Sequence, residues 1–411
     1  MCFSAALLTL VAACGSGSSN PEPAASSGTA AGTTAPQQPS ALPAAPSAAD
    51  RGALIRQESY SGGGGLTEYR GRRIVYRSTA GYRPGAATGE FGTQVSGVVL
   101  IPNGIPPAGG WPIVAYGHGT TGTAPNCGPS GYANLLGGAG TVASLLKEGW
   151  AVAVPDYQGL GTLVPNAQPH PYLEPRTAAF NMIDAVRAAR HTFADIGATW
   201  AAIGSSQGGQ AAWASAEYAG DYGSGLRFVG ATGSAPAADI SPVVRGAATV
   251  YTTTQKMFLP VIFDGLKAQY PQLNEADYFR GEIAANQATL TSCGPGYLQS
   301  RIGAALSFQP GDAAMTNAAG DVVRPMLQAR ALPQRRAAGP LYFAYGDQDQ
   351  IVNAEWTTAA IGRACRLGDV IDSEIVPGKG HTDVGRSGQE IDWLRGRFAG
   401  RPAPNTCPAG S

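Results

Sequence analysis

Charge is scarce in this chain. Of 411 residues, 28 are Lys or Arg and 28 are Asp or Glu, so charged residues make up 14% and the formal net charge is zero. A chain with no basic field has nothing with which to neutralise a phosphate backbone, which argues against nucleic-acid binding. Histidine is scarcer: His118, His170, His191 and His381 are the four. No two cysteines stand at CxxC spacing, and neither a P-loop nor an HExxH motif occurs. The sequence therefore predicts no metal and no cofactor. What it has in quantity is turn-forming residue, 57 glycines and 31 prolines, beside 44% apolar content. That supports a large core with many loops. The length exceeds what one core usually serves unless it carries an insertion.

The N-terminus reads as targeting rather than fold. Ala5 to Ala13 is a short apolar segment ending in small residues before Cys14, the pattern of a secretion signal over residues 1–13. No Lys or Arg precedes it, a departure from that pattern. Val11-Ala12-Ala13-Cys14 resembles a bacterial lipobox, with Cys14 as the lipidation site. A membrane partner is expected only through that anchor, and the location is secreted or on the outer surface or periplasm. Residues 14–50 are rich in Ser, Ala, Pro and Gly and read as a disordered tether. Cys127, Cys293, Cys365 and Cys407 remain, an even number in an exported chain, with three possible pairings.

Gly204-Ser205-Ser206-Gln207-Gly208 carries the chemistry. An apolar run, Thr199–Ile203, precedes it, and a helical pattern, Gly209–Tyr218, follows. Strand, tight turn and helix make this G-x-S-x-G a nucleophile elbow with Ser206 at its tip. A serine hydroxyl needs a base, and in this arrangement the acid and the histidine follow the serine in that order. Only His381 does so. It stands in a glycine-rich loop after the strand-like run Ser373–Val376. Between them, Leu341–Tyr345 reads as a buried strand, and Asp347 and Asp349 follow it. The oxyanion donors are expected from the backbone of Gln207, next to the nucleophile, and from the loop Gly117–Gly122, where Thr120 is the candidate. His118 precedes the serine and reads as shaping that loop.

Strand-like runs at 73–76, 95–101, 112–116, 150–154, 199–203, 226–231, 341–345 and 373–376 alternate with helical patterns at 141–147, 176–191, 209–218, 355–365 and 389–398. Such alternation predicts an α/β fold, a mostly parallel sheet flanked by helices. It fails over residues 236–335, which mix aromatic clusters with short helical patterns. This stretch is expected to be a mainly helical cap, inserted between core segments 51–235 and 336–411. A GxGxxA match at Gly138–Ala143 with Asp156 downstream mimics a dinucleotide site, but the run before it makes a thin strand.

These motifs resemble the α/β-hydrolase fold and, within it, the secretory lipase family of the fungal lipase A type and its bacterial relatives. The resemblance rests on Tyr116–Gly122, Val154–Gly161, His170-Pro171-Tyr172, the elbow, and Gly346 to Val352 with Gly380-His381. Hydrolases of this kind place the acid three residues after the loop glycine and three before a valine. That spacing selects Asp349 and leaves Asp347 to cap its loop. The resemblance also implies the pairings Cys127–Cys293, tying cap to oxyanion loop, and Cys365–Cys407, stapling the tail. The Thr-rich oxyanion loop departs from fungal members, which carry an aspartate there. Asp156-Tyr157 and His170–Tyr172 are expected to shape the pocket rim. The function implied is a serine esterase or lipase acting through an acyl-enzyme on small-molecule or lipid esters of apolar acyl groups. A peptidase or amidase on the same scaffold is one alternative, with Glu275 or Glu282 as anchor for a peptide terminus. A non-catalytic lipoprotein binding apolar ligands is the other.

Overall fold

All but one of the strands of the computed structural model follow the expected apolar runs, and its described residues are 41–408 apart from 87, 166 and 295. The signal segment, Cys14 and most of the tether lie outside them. One sheet of nine strands runs in the order β1-β2-β3-β5-β4-β6-β7-β8-β9. The strands are β1 (Leu54–Tyr60), β2 (Arg70–Ala80), β3 (Phe91–Ile101), β4 (Trp111–Gly117), β5 (Ala151–Pro155), β6 (Ile196–Ser205), β7 (Arg227–Ser234), β8 (Leu341–Gly346) and β9 (Ile371–Val376). Pairings among β1, β2, β3 and β5 are antiparallel, and those from β5 across to β9 are parallel. β5 and β8 are buried at every position, as strands covered on both faces must be. β1 is absent from the sequence reading. Its Leu-Ile-Arg-Gln-Glu-Ser-Tyr run is mostly exposed at the sheet edge, so no apolar run announces it.

Ten α-helices accompany the sheet among the described residues: α1 (Ala139–Lys147), α2 (Pro175–Thr192), α3 (Gln207–Tyr218), α4 (Thr253–Gln269), α5 (Gly281–Ala285), α6 (Gln287–Thr291), α7 (Tyr297–Ala305), α8 (Asn317–Gln328), α9 (Ala354–Arg366) and α10 (Ser387–Phe398). α2 starts where Glu174 accepts hydrogen bonds from the N–H groups of Arg176 and Thr177 and Pro175 fixes the first turn. Its Ala179, Met182, Ile183, Val186 and Ala189 join one core with Trp200, Trp213 and Phe343. A second core on the other face gathers Val98, Val114, Val152, Leu145, Trp393 and Leu394.

Residues 236–335 contribute α4 to α8 and none of the nine strands. They gather an apolar cluster of their own around Tyr251, Phe263, Leu266, Tyr278, Phe279 and Val323. The dinucleotide mimic has no strand before it: 3₁₀ turns occupy Pro129–Gly131 and Leu135–Gly137. Disulfides join Cys127 to Cys293 and Cys365 to Cys407.

The end of the expected tether differs from the structure. From Leu42 the chain lies against the protein: Gly92 N–H donates to the Pro43 carbonyl at 2.8 Å, and Asp50 N–H to Ser47 at 3.0 Å. The reason is local. β5 pairs with β3 only over Gly97–Leu100, so the start of β3 has backbone donors that need acceptors, and residues 43–44 supply one.

The Cys365–Cys407 bridge spans 42 residues and ties α9 to the tail. Closing a loop of that length is worth about 4 kcal/mol by chain entropy. The Cys365→Ser, Cys407→Ser double variant should unfold in urea with stability lowered by about 2–4 kcal/mol.

Candidate active site

Ser206 stands between β6 and α3 with φ 56° and ψ −117°, a conformation a non-glycine residue holds only when its surroundings enforce it. The surroundings do. Ser206 N–H donates to the Ser234 carbonyl at 3.0 Å, and its own carbonyl accepts from Ala237 N–H and Gln210 N–H. The flanking glycines are required by space. A Cβ on Gly208 would lie 1.9 Å from the Gly117 carbonyl oxygen, and one on Gly204 would lie 2.3 Å from that of Gly208. The loop after β4 therefore rests directly on the turn.

His381 reaches this turn from the loop after β9. Its Nε2 is 2.8 Å from Ser206 Oγ, and its Nδ1 is 2.7 Å from Asp349 Oδ2. A carboxylate can only accept, so Nδ1 carries the proton and Nε2 is left to accept from the serine. Asp349 is almost fully enclosed and takes two further hydrogen bonds at Oδ1, from the N–H groups of Ile351 and Val352. Asp347 turns elsewhere: its Oδ1 accepts from Gly378 N–H at 2.7 Å, pinning the loop that leads to His381.

Gln207 opens α3, where first-turn N–H groups have no acceptor within the helix. Its side chain is fixed by His170, which sequence reasoning placed only on the rim. His170 Nδ1–H donates to the Gln158 carbonyl at 2.8 Å, so its Nε2 accepts from the Gln207 amide at 3.0 Å. Burial pushes the His170 imidazole down to about 3, with a smaller push from His118 and Arg330. Thr120 Oγ1 pairs with the Tyr172 hydroxyl at 2.7 Å. His118 shapes the loop as expected: its ring nitrogens face the carbonyls of Gly119 and Asp156. The Asp156 carboxylate is a structural acceptor, taken by Ser96 Oγ and by Ser130 N–H and Oγ.

Two buried arginines were invisible in the sequence. Arg301 donates to the carbonyls of Thr121 and Ser292, and Arg330 to those of Tyr172 and Gly265. Together with Cys127–Cys293 and the Thr123 hydroxyl on Asp264, they bind residues 253–330 to the two loops beside Ser206.

Ser206 opens on an apolar cavity of about 40 Å³ walled by Leu173, Ala237, Ile240, Phe258, Ile262, Val352 and Trp356. Among the described residues no charged side chain borders it. Glu275 pairs with Lys267 and Glu282 with Asn286 instead. A larger polar groove along Asp50, Arg77 and Gln94 does not include Ser206.

Residues 139–406 match the sequence profile of the family described as Secretory lipase. Among solved structures, lipase A of Candida antarctica is similar with a TM-score of 0.65 at 16% identity, over 87% of this chain and 84% of that one. The rice cell wall degrading esterase LipA of Xanthomonas oryzae, in a ligand-bound form, gives 0.64 at 18% identity, over 86% of this chain and 100% of that one. At such identities the likeness is one of fold. No curated protein matches the chain at a significant level.

His170 binds its proton at about 3 when folded and near 6.5 when unfolded. The unfolded chain thus takes up more protons in that window, and stability falls as pH drops through it. His170→Gln should flatten this acid limb. Urea titrations at pH 7, 5.5 and 4.5 check it: the variant's loss between pH 7 and 4.5 should be smaller than wild type's, whatever its absolute stability.

Proposed function

This chain belongs to the secretory lipase family, and we propose that it is an exported serine esterase or lipase that cleaves carboxylic esters of apolar acyl groups through an acyl-enzyme. One observation carries the reading. The Ser206–His381–Asp349 hydrogen-bond chain opens on an apolar cavity.

As Ser206 Oγ bonds to the ester carbonyl carbon, its proton passes to His381 Nε2 and the carbonyl electrons move onto oxygen. The N–H groups of Gln207 and Thr120 receive that charge. Such a donor is typically worth about 3–4 kcal/mol. The oxyanion collapses, the alcohol leaves with the proton from His381, and the acyl group remains on Ser206. Water, losing a proton to the same nitrogen, then releases the acid. Asp349 holds the imidazole tautomer and balances the imidazolium.

Residues 236–335 act as the cap of this site. Phe258, Leu259 and Ile262 of α4 form part of the wall of the cavity beside Ser206. The two disulfides fit an oxidising compartment. The export signal over residues 1–13 and the lipid anchor at Cys14 belong to the same proposal, outside the described residues.

Ser206→Ala should lower p-nitrophenyl butyrate hydrolysis by a factor on the order of 10⁶. Asp349→Asn should lower it by about 10⁴, whereas Asp347→Asn keeps most of the activity. A fluorophosphonate probe should label wild type and not Ser206→Ala. Full activity in Ser206→Ala would end the reading.

A further inference from the structure

The chain has no overall basic field, yet three of its arginines and one of its four histidines meet at one place. Arg51, Arg187, Arg190 and His191 border a cavity of about 270 Å³, and among the described residues no carboxylate borders it. Close packing gathers them. Gly52 stands at φ 72°, and a Cβ there would lie 2.3 Å from Arg187 Cβ, so the lack of a side chain lets this turn rest on α2. Its neighbour Arg51 is laid over the Tyr222 ring, the guanidinium carbon 3.9 Å from the centroid, with that of Arg187 5.5 Å from the same ring.

The four are not equivalent. Arg187 is buried and satisfied: it pairs with Asp184 at 2.9 Å and donates to the carbonyls of Tyr222 and Ser224. Arg190 and His191 close α2, where cations are the ordinary answer to the negative end of a helix. Arg51 has neither explanation. It comes from the turn, makes no ion pair among the described residues, and keeps a buried Nε without a hydrogen-bond partner. The acids flanking the cluster in sequence do not neutralise it. Asp184 is shared among Arg187, Ser78 and Tyr222, Asp50 accepts from Ser47 and faces another groove, and Asp195 does not border the cavity. Guanidinium groups around one cavity repel one another, and an oxyanion among them removes that cost. Their rigid forks match phosphate oxygens in geometry as well as in charge.

We infer that this pocket binds a phosphate-class oxyanion, either free or as the headgroup of an anionic phospholipid. The inference does not depend on the esterase reading. α2 ends just before β6, and Gly225 and Leu226 stand just before β7. The pocket therefore lies at the edge where these parallel strands begin, and Ser206 follows the end of β6 at the opposite edge. An anion or a surface held by Arg51 and Arg190 leaves the Ser206 edge uncovered.

The test uses the chain carrying Cys14→Ser, so that no lipid anchor forms. One arm measures co-sedimentation with vesicles of equal parts phosphatidylcholine and phosphatidylglycerol, against phosphatidylcholine alone. The other follows broadening of the phosphorus NMR line of inorganic phosphate at constant ionic strength. Arg51→Gln combined with Arg190→Gln should weaken vesicle binding by about thirtyfold, and Arg190→Gln alone by about fivefold. In the phosphate arm the same pair should abolish the broadening. Arg245→Gln combined with Arg280→Gln, at two exposed arginines outside the pocket, should change neither by more than about twofold. Urea unfolding checks that each variant is folded, and the exposed Arg190→Gln change serves alone if the pair is not. Selective vesicle binding places the oxyanion on a lipid; phosphate broadening without it places the oxyanion in solution. Either supports the pocket. Binding in neither arm, or equal losses from the two arginine pairs, overturns it.

Discussion

The contact on which the site depends is one of backbone against backbone. The Gly117 carbonyl at the end of β4 lies so close to Gly208 that no Cβ fits between them. Because β4 and β6 are parallel neighbours, the loop after β4 and the turn after β6 leave the sheet at the same edge. The tight approach lays one on the other. It brings residues 118–120 beside the start of α3 and holds Ser206 at a positive φ that the isolated peptide would avoid. A side chain at either glycine would push the loop off the turn, and the alignment of Ser206 with residues 118–120 would go with it.

The second constraint comes from outside the sheet. Arg301 and Arg330 are buried cations that make no ion pair among the described residues, and burial lowers the proton affinity of both. Enclosing such a charge is costly. What offsets it is geometry: a guanidinium presents a rigid fork that can hold two carbonyls at once. The carbonyls of Thr121, Ser292, Tyr172 and Gly265 come from irregular or distant segments that no single ladder could satisfy. The two loops so held are those joined by the Thr120–Tyr172 hydroxyl pair. Burial pushes the Tyr172 hydroxyl up to about 12, so the pair stays neutral across the working range. The rim of the cavity is thus set jointly by the sheet and by the segment between β7 and β8.

Much of this was legible in the sequence, for reasons that can be named. The elbow was readable because steric exclusion at Gly204 and Gly208 writes itself as a fixed pentapeptide. His381 followed by elimination, since only four histidines exist and chain order removes three. Continuous apolar runs marked β4, β5 and β8 because both faces of those strands are buried. β1 gave no such signal, since its exposed edge tolerates Arg, Gln and Glu. The roles of Arg301 and Arg330 could not be read. Each arises from contacts or exclusions between segments far apart in sequence, and nothing in the local pattern around an Arg says that it will be enclosed.

Asp349 illustrates how so uncharged a chain handles charge. It could have been steadied by an arginine, as Asp239 is by Arg363. Instead two backbone N–H groups hold Oδ1 and leave Oδ2 to His381. Dipoles orient a carboxylate without cancelling its charge, whereas a guanidinium would do both. In the proposed reaction the negative charge therefore stays available for an imidazolium at His381, formed as Ser206 gives up its proton. In an enclosed site, where opposite charges attract far more strongly than in water, that distinction favours charge separation at the moment of reaction. A cation beside Asp349 would stabilise the resting pair and weaken its answer to a protonated histidine, so the proposed relay is better served by backbone donors than by an arginine.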